Sequence, residues 1–378
     1  MNIALLSEKY TPDVGGLAIS SERIASLLAG AGHQVHVYCP SASLPPSETR
    51  THTHRGVSIT RLGPHRRVDD TLVDWLELIA AAHKRSSFDL LHAYSLTQAG
   101  FVAAYAGRYL NLPSVVSIRG NDIERAPFDP DRFSHVWFTL QNAGAVTTNA
   151  SALITKARAF LDREITLIPN GVDTKCFRPM ERNEALAESL GLSKGNRVIG
   201  FVGELREKKG LATLLHAYAK INRELPVTLL IVGDIRAGED RMVFEEIKSS
   251  IPNGRIVVTG YVSNTDLPSY YSVVDVLLHP SLRDGLPNSV LESMACGKAV
   301  IATPVGGVLD VLSDGKNGRM VAINDIHSLT AITLEVLSDK MLQIRLGAAA
   351  RQTIENQFSL QSELEGNLEV YCKLGLKK

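Results

Sequence analysis

Two doubly wound αβα domains in tandem are the α/β architecture this sequence predicts, and three observations carry that prediction. The chain has 378 residues, too many for one ordinary core and suited to two domains of ~150 residues each. Short β-branched runs alternate with amphipathic stretches along its length, the pattern of βαβ units and parallel sheets. A polar segment at 181–196 interrupts the pattern and ends in the turn residues Leu190-Gly-Leu-Ser-Lys-Gly-Asn196, after which the alternation starts again. This sets the domains at 1–185 and 186–357.

Taken in order, residues 2–6 read as the first strand and 18–29 as a helix with Ile19, Ile24, Leu27 and Leu28 near one face. Residues 34–38 form the second strand, and further strands are expected at 57–61, 90–92, 114–118, 145–148 and 166–168. In the second half, strands at 198–202, 227–232, 256–259, 274–278 and 299–303 alternate with helical segments such as 211–222 and 289–296. The tail, 360–374, places Leu364, Leu368, Tyr371 and Leu374 at i, i+4, i+7 and i+10, a helix with one buried face. In doubly wound sheets ligands bind beyond the carboxyl ends of the strands, at the switch point.

Forty basic and forty acidic residues cancel, and the 44% hydrophobic content is that of a globular protein. This excludes a disordered or collagen-like chain and a strongly basic nucleic-acid binder, and it says nothing of oligomeric state. Cys39, Cys176, Cys296 and Cys372 form no C-x-x-C pair and read as small hydrophobes of a reducing compartment. The N-terminal apolar run is too short for a secretory signal, and no stretch approaches the ~20 apolar residues of a membrane span. A soluble, cytoplasmic protein is expected.

The sharpest local feature is Ser281-Leu-Arg-Asp-Gly-Leu-Pro-Asn-Ser-Val-Leu-Glu-Ser-Met-Ala-Cys-Gly-Lys298. It follows a strand, turns at Gly285 and starts a helix with Pro287 near the first helical position, where a missing N–H costs nothing. The amides of Asn288, Ser289 and Val290 would be unpaired donors there, and donors plus the helix dipole make a phosphate site. Asp284 before the turn and Glu292 eight residues on would flank that phosphate and suit hydroxyl-rich groups. The plainer reading makes Asp284 an N-terminal cap and Glu292 a solvated helix residue.

Two further loops favour the ligand reading. Gly203-Glu-Leu-Arg-Glu-Lys-Lys-Gly210 carries Arg206, Lys208 and Lys209 ahead of a helix, where fixed cations attract a diphosphate. Pro12-Asp-Val-Gly-Gly16 follows the first strand, and its glycines allow close backbone approach by a ligand. The G-x-G at Gly30-Ala-Gly32 lies after a helix and before a strand, the wrong context for a dinucleotide fingerprint.

These loops, in this order, resemble the retaining glycosyltransferases of the GT-B fold, family 4. The resemblance runs through Gly15-Gly16, Ile168-Pro-Asn-Gly-Val-Asp173 with Phe177, Gly203 to Gly210, the spacing of Thr259-Gly-Tyr-Val, Tyr270-Tyr, Asp275-Val and His279-Pro-Ser281, and Asp284 to Glu292 followed by Ser-Met-Ala-Cys-Gly. It covers nearly the whole chain. It implies two Rossmann-like domains facing across a cleft, the first binding acceptor and the second a nucleotide-diphosphate sugar, with a C-terminal helix, 358–378, crossing back to the first.

The resemblance further implies roles. Glu292 would bond the ribose hydroxyls, and Asp284, with the backbone from Gly285 through Leu286 to Pro287, the hydroxyls of the transferred sugar. Lys209 and Arg206 would neutralise the departing diphosphate, joined by Gly16 from the opposite domain, and the base would lie near Tyr261 and Val262. Gly15, Gly203, Asn288, Ser289 and Val290 complete the expected donor site, and His92, Asn121 and Asp122 stand on the acceptor side.

A retaining, metal-independent hexosyltransferase is thus implied. It would use a UDP- or GDP-sugar and a glycan, lipid-linked or small-molecule acceptor, without cofactor. The alternative is a catalytically silent protein of the same fold that binds a nucleotide sugar or glycan.

Three positions depart from the family pattern. Asp284 stands where a Glu is usual, and Glu204 where an Arg often follows the glycine, with Arg206 two residues on to supply the charge. Ser117-Ile-Arg-Gly-Asn-Asp122 stands where many members carry His-Gly, leaving Arg119 to meet donor phosphate or an anionic acceptor.

Elsewhere the signals are plainer. Asp129-Pro-Asp131 reads as a turn, and His52 and His54 lack further metal ligands nearby. His92 ends a predicted strand, as a satisfied structural or a functional histidine. The helix within 61–85 clusters Leu72, Trp75, Leu76 and Ile79, suited to core packing or to peripheral contact with an anionic membrane.

Overall fold

Five of the six residues of the first strand, β1 (Asn2–Ser7), are buried, since a parallel strand is covered on both faces and an unbroken apolar run serves both. A computed structural model of the chain describes residues 1–13, 15–192, 195–251 and 253–377 and divides into two units, Met1–Asn170 with Leu360–Lys378 and Gly171–Ser359.

In the first unit β1 is joined by β2 (Gln34–Pro40), β3 (Thr49–His54), β4 (Val57–Leu62), β5 (Leu90–Tyr94), β6 (Ser114–Ile118), β7 (Ala145–Thr148) and β8 (Thr166–Leu167). Among the described residues they form one eight-stranded sheet in the order β3-β4-β2-β1-β5-β6-β7-β8. Only the β3–β4 pair is antiparallel. β3 is exposed at every residue, so His52 and His54 sit on a polar edge, which discourages pairing with a second sheet.

Alternation along β1 feeds two cores. Ile3 and Leu5 pack with Ile24, Leu28, Val370 and Tyr371, while Ala4 and Leu6 pack with Leu72, Trp75, Ile79 and Val102. The helix Val68–Arg85 thus spends its apolar face on the core, with Leu72, Trp75 and Ile79 buried and Leu76 partly buried against them. The C-terminal helix Leu360–Lys373 belongs to this unit. Val370 and Tyr371 are buried in it, and Glu363 takes Arg23 of the helix Gly16–Gly30 at 2.6 Å. Lys378, the end of the expected tail helix, lies outside the described residues.

The second unit consists of β9 (Arg197–Val202), β10 (Val227–Val232), β11 (Arg255–Val258), β12 (Val276–His279), β13 (Ala299–Ala302) and β14 (Arg319–Met320). Their order is β11-β10-β9-β12-β13-β14, all parallel, which is the doubly wound order. Ile199 and Phe201 of β9 face the helix Leu211–Glu224, and Val198 and Val202 face Val290 and Met294 of the helix Asn288–Ala295.

The division falls at Asn170, ahead of the expected 185, because 171–182 folds with the second unit. The Val172 amide donates to Phe358 O at 2.8 Å, Phe177 is buried, and the Arg351 guanidinium donates to the carbonyls of Thr174, Phe177 and Ala295. The turn residues near 190 end a short helix, Glu184–Ser189, whose Ala187 lies in that core. They punctuate a helix and do not separate domains; Ser193 and Lys194 of that stretch lie outside the described residues.

Candidate functional site

Each sheet has a switch point, where the chain's successive connections leave in opposite directions. In the second unit it lies between β9 and β12, so the loops that follow these two strands share it. These are the loop from Gly203 to Gly210 and the turn from Pro280 to Pro287.

Glycine geometry locks the loops together. Gly210 has φ +76°, and a Cβ there would stand 2.0 Å from Pro280 O. The Leu282 amide donates to Lys208 O at 2.9 Å. A Cβ on Gly306 would stand 1.8 Å from Asp284 O, and the Gly307 amide donates to Gly285 O at 2.6 Å. Leu286 is buried with its Cβ packed against Gly307. Asp284 is therefore held from both sides by close backbone contact.

Lys209 closes the single 3-10 turn Glu207–Lys209, and its Nζ donates to Asp284 Oδ2. The same oxygen lies 3.2 Å from His279 Nε2, and Ser281 Oγ lies 3.0 Å from that nitrogen. Burial would raise the Asp284 pKa, but the Lys209 ammonium, with His279, overrides it and holds the carboxyl far below the usual range. Burial also lowers the His279 pKa. A charged Asp284 only accepts, so a neutral His279 keeps its proton on Nε2 and donates it to Asp284. His279 is a site residue to which sequence reasoning gave no role, although the His279-Pro-Ser281 spacing was visible.

The helix Asn288–Ala295 begins just after Pro287, which has φ −73° and sits at the capping position. Asp284 therefore does not cap this helix. Of the three amides expected to be free, that of Val290 is used: it donates to Pro287 O at 3.2 Å, because the first turn is tight. Glu292 is 7% exposed, which removes the solvated reading. Tyr271 OH donates to Glu292 Oε2 at 2.9 Å and lies 3.3 Å from Ser289 O. Burial, then the Glu292 carboxylate, pushes the Tyr271 pKa well up. Tyr271 is a second residue to which the sequence gives no role, although the Tyr270-Tyr spacing is visible.

Two expectations fall outside this cluster. Arg206 Nη1 pairs with Glu204, the acid standing at the usual arginine position, at 3.2 Å. Tyr261, 70% exposed, and Val262 follow β11, and β10 separates that strand from β9.

In the first unit the switch point lies between β1 and β5. Gly15, φ +129°, precedes the helix Gly16–Gly30, and a Cβ on Gly15 or Gly16 would meet nothing within 4 Å. Gly15 is demanded by its backbone, whereas Gly16 is demanded by no neighbour; Val14 of the same motif lies outside the described residues.

His92 lies inside β5, fully buried, with Nδ1 2.7 Å from Tyr371 OH and Nε2 3.1 Å from Ser117 Oγ. Burial, then the Arg119 charge, lowers its pKa to about 3. It is the satisfied structural histidine of the two readings, tying the sheet to the C-terminal helix. Asp122 is also buried: its carboxylate accepts the amides of Leu96, Arg119 and Gly120 at 2.8 to 3.1 Å and so joins the loops after β5 and β6. Asn121 beside it is exposed. Asp129 accepts the Asp131 amide and caps the helix Pro130–Asn142, a structural role.

Two doubly wound α/β units, one with a lysine, a half-buried and a buried acid and a helix start at its switch point, have groups suited to phosphorylated, hydroxyl-rich ligands. The family follows from comparison. Residues 14–175 match the model of Glycosyltransferase Family 4 and residues 182–353 that of Glycosyl transferases group 1, so the chain belongs to these glycosyltransferases. It is 24% identical over 361 residues to an N-acetyl-alpha-D-glucosaminyl L-malate synthase of Bacillus anthracis, covering 92% of this chain and 91% of that one. Over 370 residues it is 26% identical to a GDP-mannose-dependent alpha-mannosyltransferase of Corynebacterium glutamicum, covering 94% and 85%. The fold is that of a sucrose-phosphate synthase from Thermosynechococcus elongatus, with TM-score 0.83, 21% identity and 99% of both chains covered. Such neighbours are GT-B enzymes, so the GT-B fold is established. No helix among the described residues is long and apolar enough to cross a membrane.

Proposed function

We propose that this glycosyltransferase moves a hexosyl unit from a UDP- or GDP-sugar to an acceptor hydroxyl, with retention at the anomeric carbon and without a bound metal. The observation that carries the proposal is the Lys209–Asp284 pair at the β9/β12 switch point, beside the buried Glu292. The pair stores a cation and an anion side by side. When donor binds, Lys209 turns to the diphosphate and Asp284 to the hydroxyls of the transferred sugar, each exchanging one partner for another. Glu292, oriented by Tyr271, accepts from the ribose hydroxyls.

In the chemical step the bond from the anomeric carbon to the diphosphate oxygen breaks. The acceptor oxygen bonds the same face of that carbon, and the acceptor proton passes to the departing diphosphate. Charge grows on that leaving oxygen, where a fixed ammonium and backbone amides are most effective once water is excluded. The acceptor, a glycan, a lipid-linked sugar or a small molecule, belongs to the first unit in this reading. Support comes from the relatives, one named for a GDP-mannose donor and one for an L-malate product.

The test is product analysis by proton NMR after incubation with UDP- and GDP-sugars, a panel of acceptors and excess chelator. An axial anomeric product from an axial donor supports the proposal. An inverted product, or turnover abolished by chelator, refutes the corresponding part of it.

A further inference from the structure

The first unit holds a half-buried arginine with no counter-ion among the described residues. Arg119 follows β6, at the carboxyl edge of the sheet and one strand from the β1/β5 switch point. No carboxylate among the described residues lies within 4.0 Å of its guanidinium. The acids of the neighbouring loops are committed elsewhere: Asp122 to three backbone amides, Glu8 to the Thr97 hydroxyl, Glu124 to Lys156 and Glu363 to Arg23. A charge removed from water without a partner is costly, and such residues are seldom buried unpaired.

The side chain is also held still. Its guanidinium carbon lies 3.8 Å above the Tyr94 ring, Nη1 donates to Asn170 Oδ1 at 2.9 Å, and its own amide is fixed by Asp122. The Nε–H is buried and meets no acceptor. A buried donor left unmade costs ~1–3 kcal/mol, and native structures rarely leave one without a reason. After burial, the Arg119 charge is the second cause that lowers the His92 pKa. A rigid guanidinium with an unmatched edge is the geometry that binds a phosphate or carboxylate through two parallel hydrogen bonds.

We infer that Arg119, stacked on Tyr94 and fixed by Asn170, is an oxyanion receptor that takes a phosphate or carboxylate group of a substrate. The anion is either the diphosphate of the donor or a charged group of the acceptor. Its assignment to one or the other rests on the transferase reading, while the existence of the receptor does not.

The test follows the arginine Nε–H resonances of the intact protein by NMR, with the Arg119 signal assigned by its loss in Arg119→Lys. Inorganic pyrophosphate, UDP, GDP, glucose 6-phosphate and L-malate are titrated in turn. At least one is expected to shift the Arg119 signal saturably, and Arg119→Gln is expected to weaken that same probe tenfold or more with Tm unchanged. A shift by UDP or GDP assigns the donor diphosphate; a shift by glucose 6-phosphate or malate alone assigns the acceptor. No shift by any probe, or affinities within twofold in Arg119→Gln, overturns the inference. If wild type and Arg119→Gln bind nucleotide sugar and turn over alike, the receptor fails and the transferase stands. If neither binds nucleotide sugar, the transferase reading fails, and pyrophosphate and malate still decide the receptor.

Discussion

Lys209 and Asp284 form an ion pair between the loop after β9 and the turn after β12. The pair makes these loops one electrostatic unit. Removing either partner strands the other in a largely buried setting.

Lys209→Ala is therefore expected to fail in two ways. Turnover should fall at least a hundredfold through loss of leaving-group stabilisation, the usual scale for a preorganised charge. Stability should fall by about 3 kcal/mol through the unpaired Asp284. The double variant Lys209→Ala/Asp284→Ala should recover much of the stability and none of the activity. Chemical denaturation beside a turnover assay separates the two effects.

The pair also sets an acid limit. Asp284 is depressed in the folded state, so its contribution is full above the ordinary carboxylate pKa and is lost as pH falls below it. Between pH ~5 and ~2 wild type should lose stability more steeply than Asp284→Asn. Parallel curves for the two proteins would show that the pair adds no stability.

Asp122 has the opposite sign. Burial raises its pKa to about 6, against the pull of three backbone amides, so its contribution is present below the unfolded value and is lost as pH rises to about 6. The shift of about two units corresponds to roughly 3 kcal/mol across that interval. Hydrogen exchange at the Leu96, Arg119 and Gly120 amides should report this local titration, and Asp122→Asn should abolish it.

The glycines separate backbone need from ligand need. Gly210→Ala forces a Cβ to 2.0 Å from Pro280 O at φ +76° and should cost about 2 kcal/mol or more, with loss of activity. Gly16→Ala meets nothing within 4 Å. Its Tm should stay unchanged while turnover falls, if substrate approaches that backbone. Unchanged turnover would remove Gly16 from the site.

Tyr271→Phe leaves Glu292 without its phenolic donor. Nucleoside diphosphate affinity should weaken about tenfold, equal to ~1.4 kcal/mol, the order of one hydrogen bond. The acceptor KM should not move. A fall in kcat with nucleotide affinity intact would contradict the ribose role of Glu292.

Much of this was legible in the sequence because strands in doubly wound sheets are continuous apolar runs. Residues 114–118, 145–148 and 227–232 are short runs rich in β-branched residues and form strands with those bounds. Arg319 and Met320 of β14 make no such run, since a two-residue edge strand needs no apolar run. Asp284, Lys209 and Glu292 stand out in the sequence through punctuation by glycine and proline, and the structure brings the first two into contact. His279 ends an apolar run, where a polar side chain looks like core until its partner is known, and the sequence does not show that Tyr271 meets Glu292. Charge alone does not reveal that Arg206 pairs with Glu204, two residues away. The domain boundary misled because Gly191 signals a helix end as strongly as a linker.

The most direct test of the central account is the binding of UDP-, GDP- and ADP-sugars to wild type, Lys209→Ala and Glu292→Ala, followed by thermal denaturation with chelator present. Saturation a hundredfold above Kd should stabilise wild type by ~2.7 kcal/mol with one nucleotide class, and both variants should lose most of that gain while remaining folded. Equal stabilisation of all three proteins, or none of wild type by any nucleotide sugar, would contradict a donor site built on Lys209, Asp284 and Glu292.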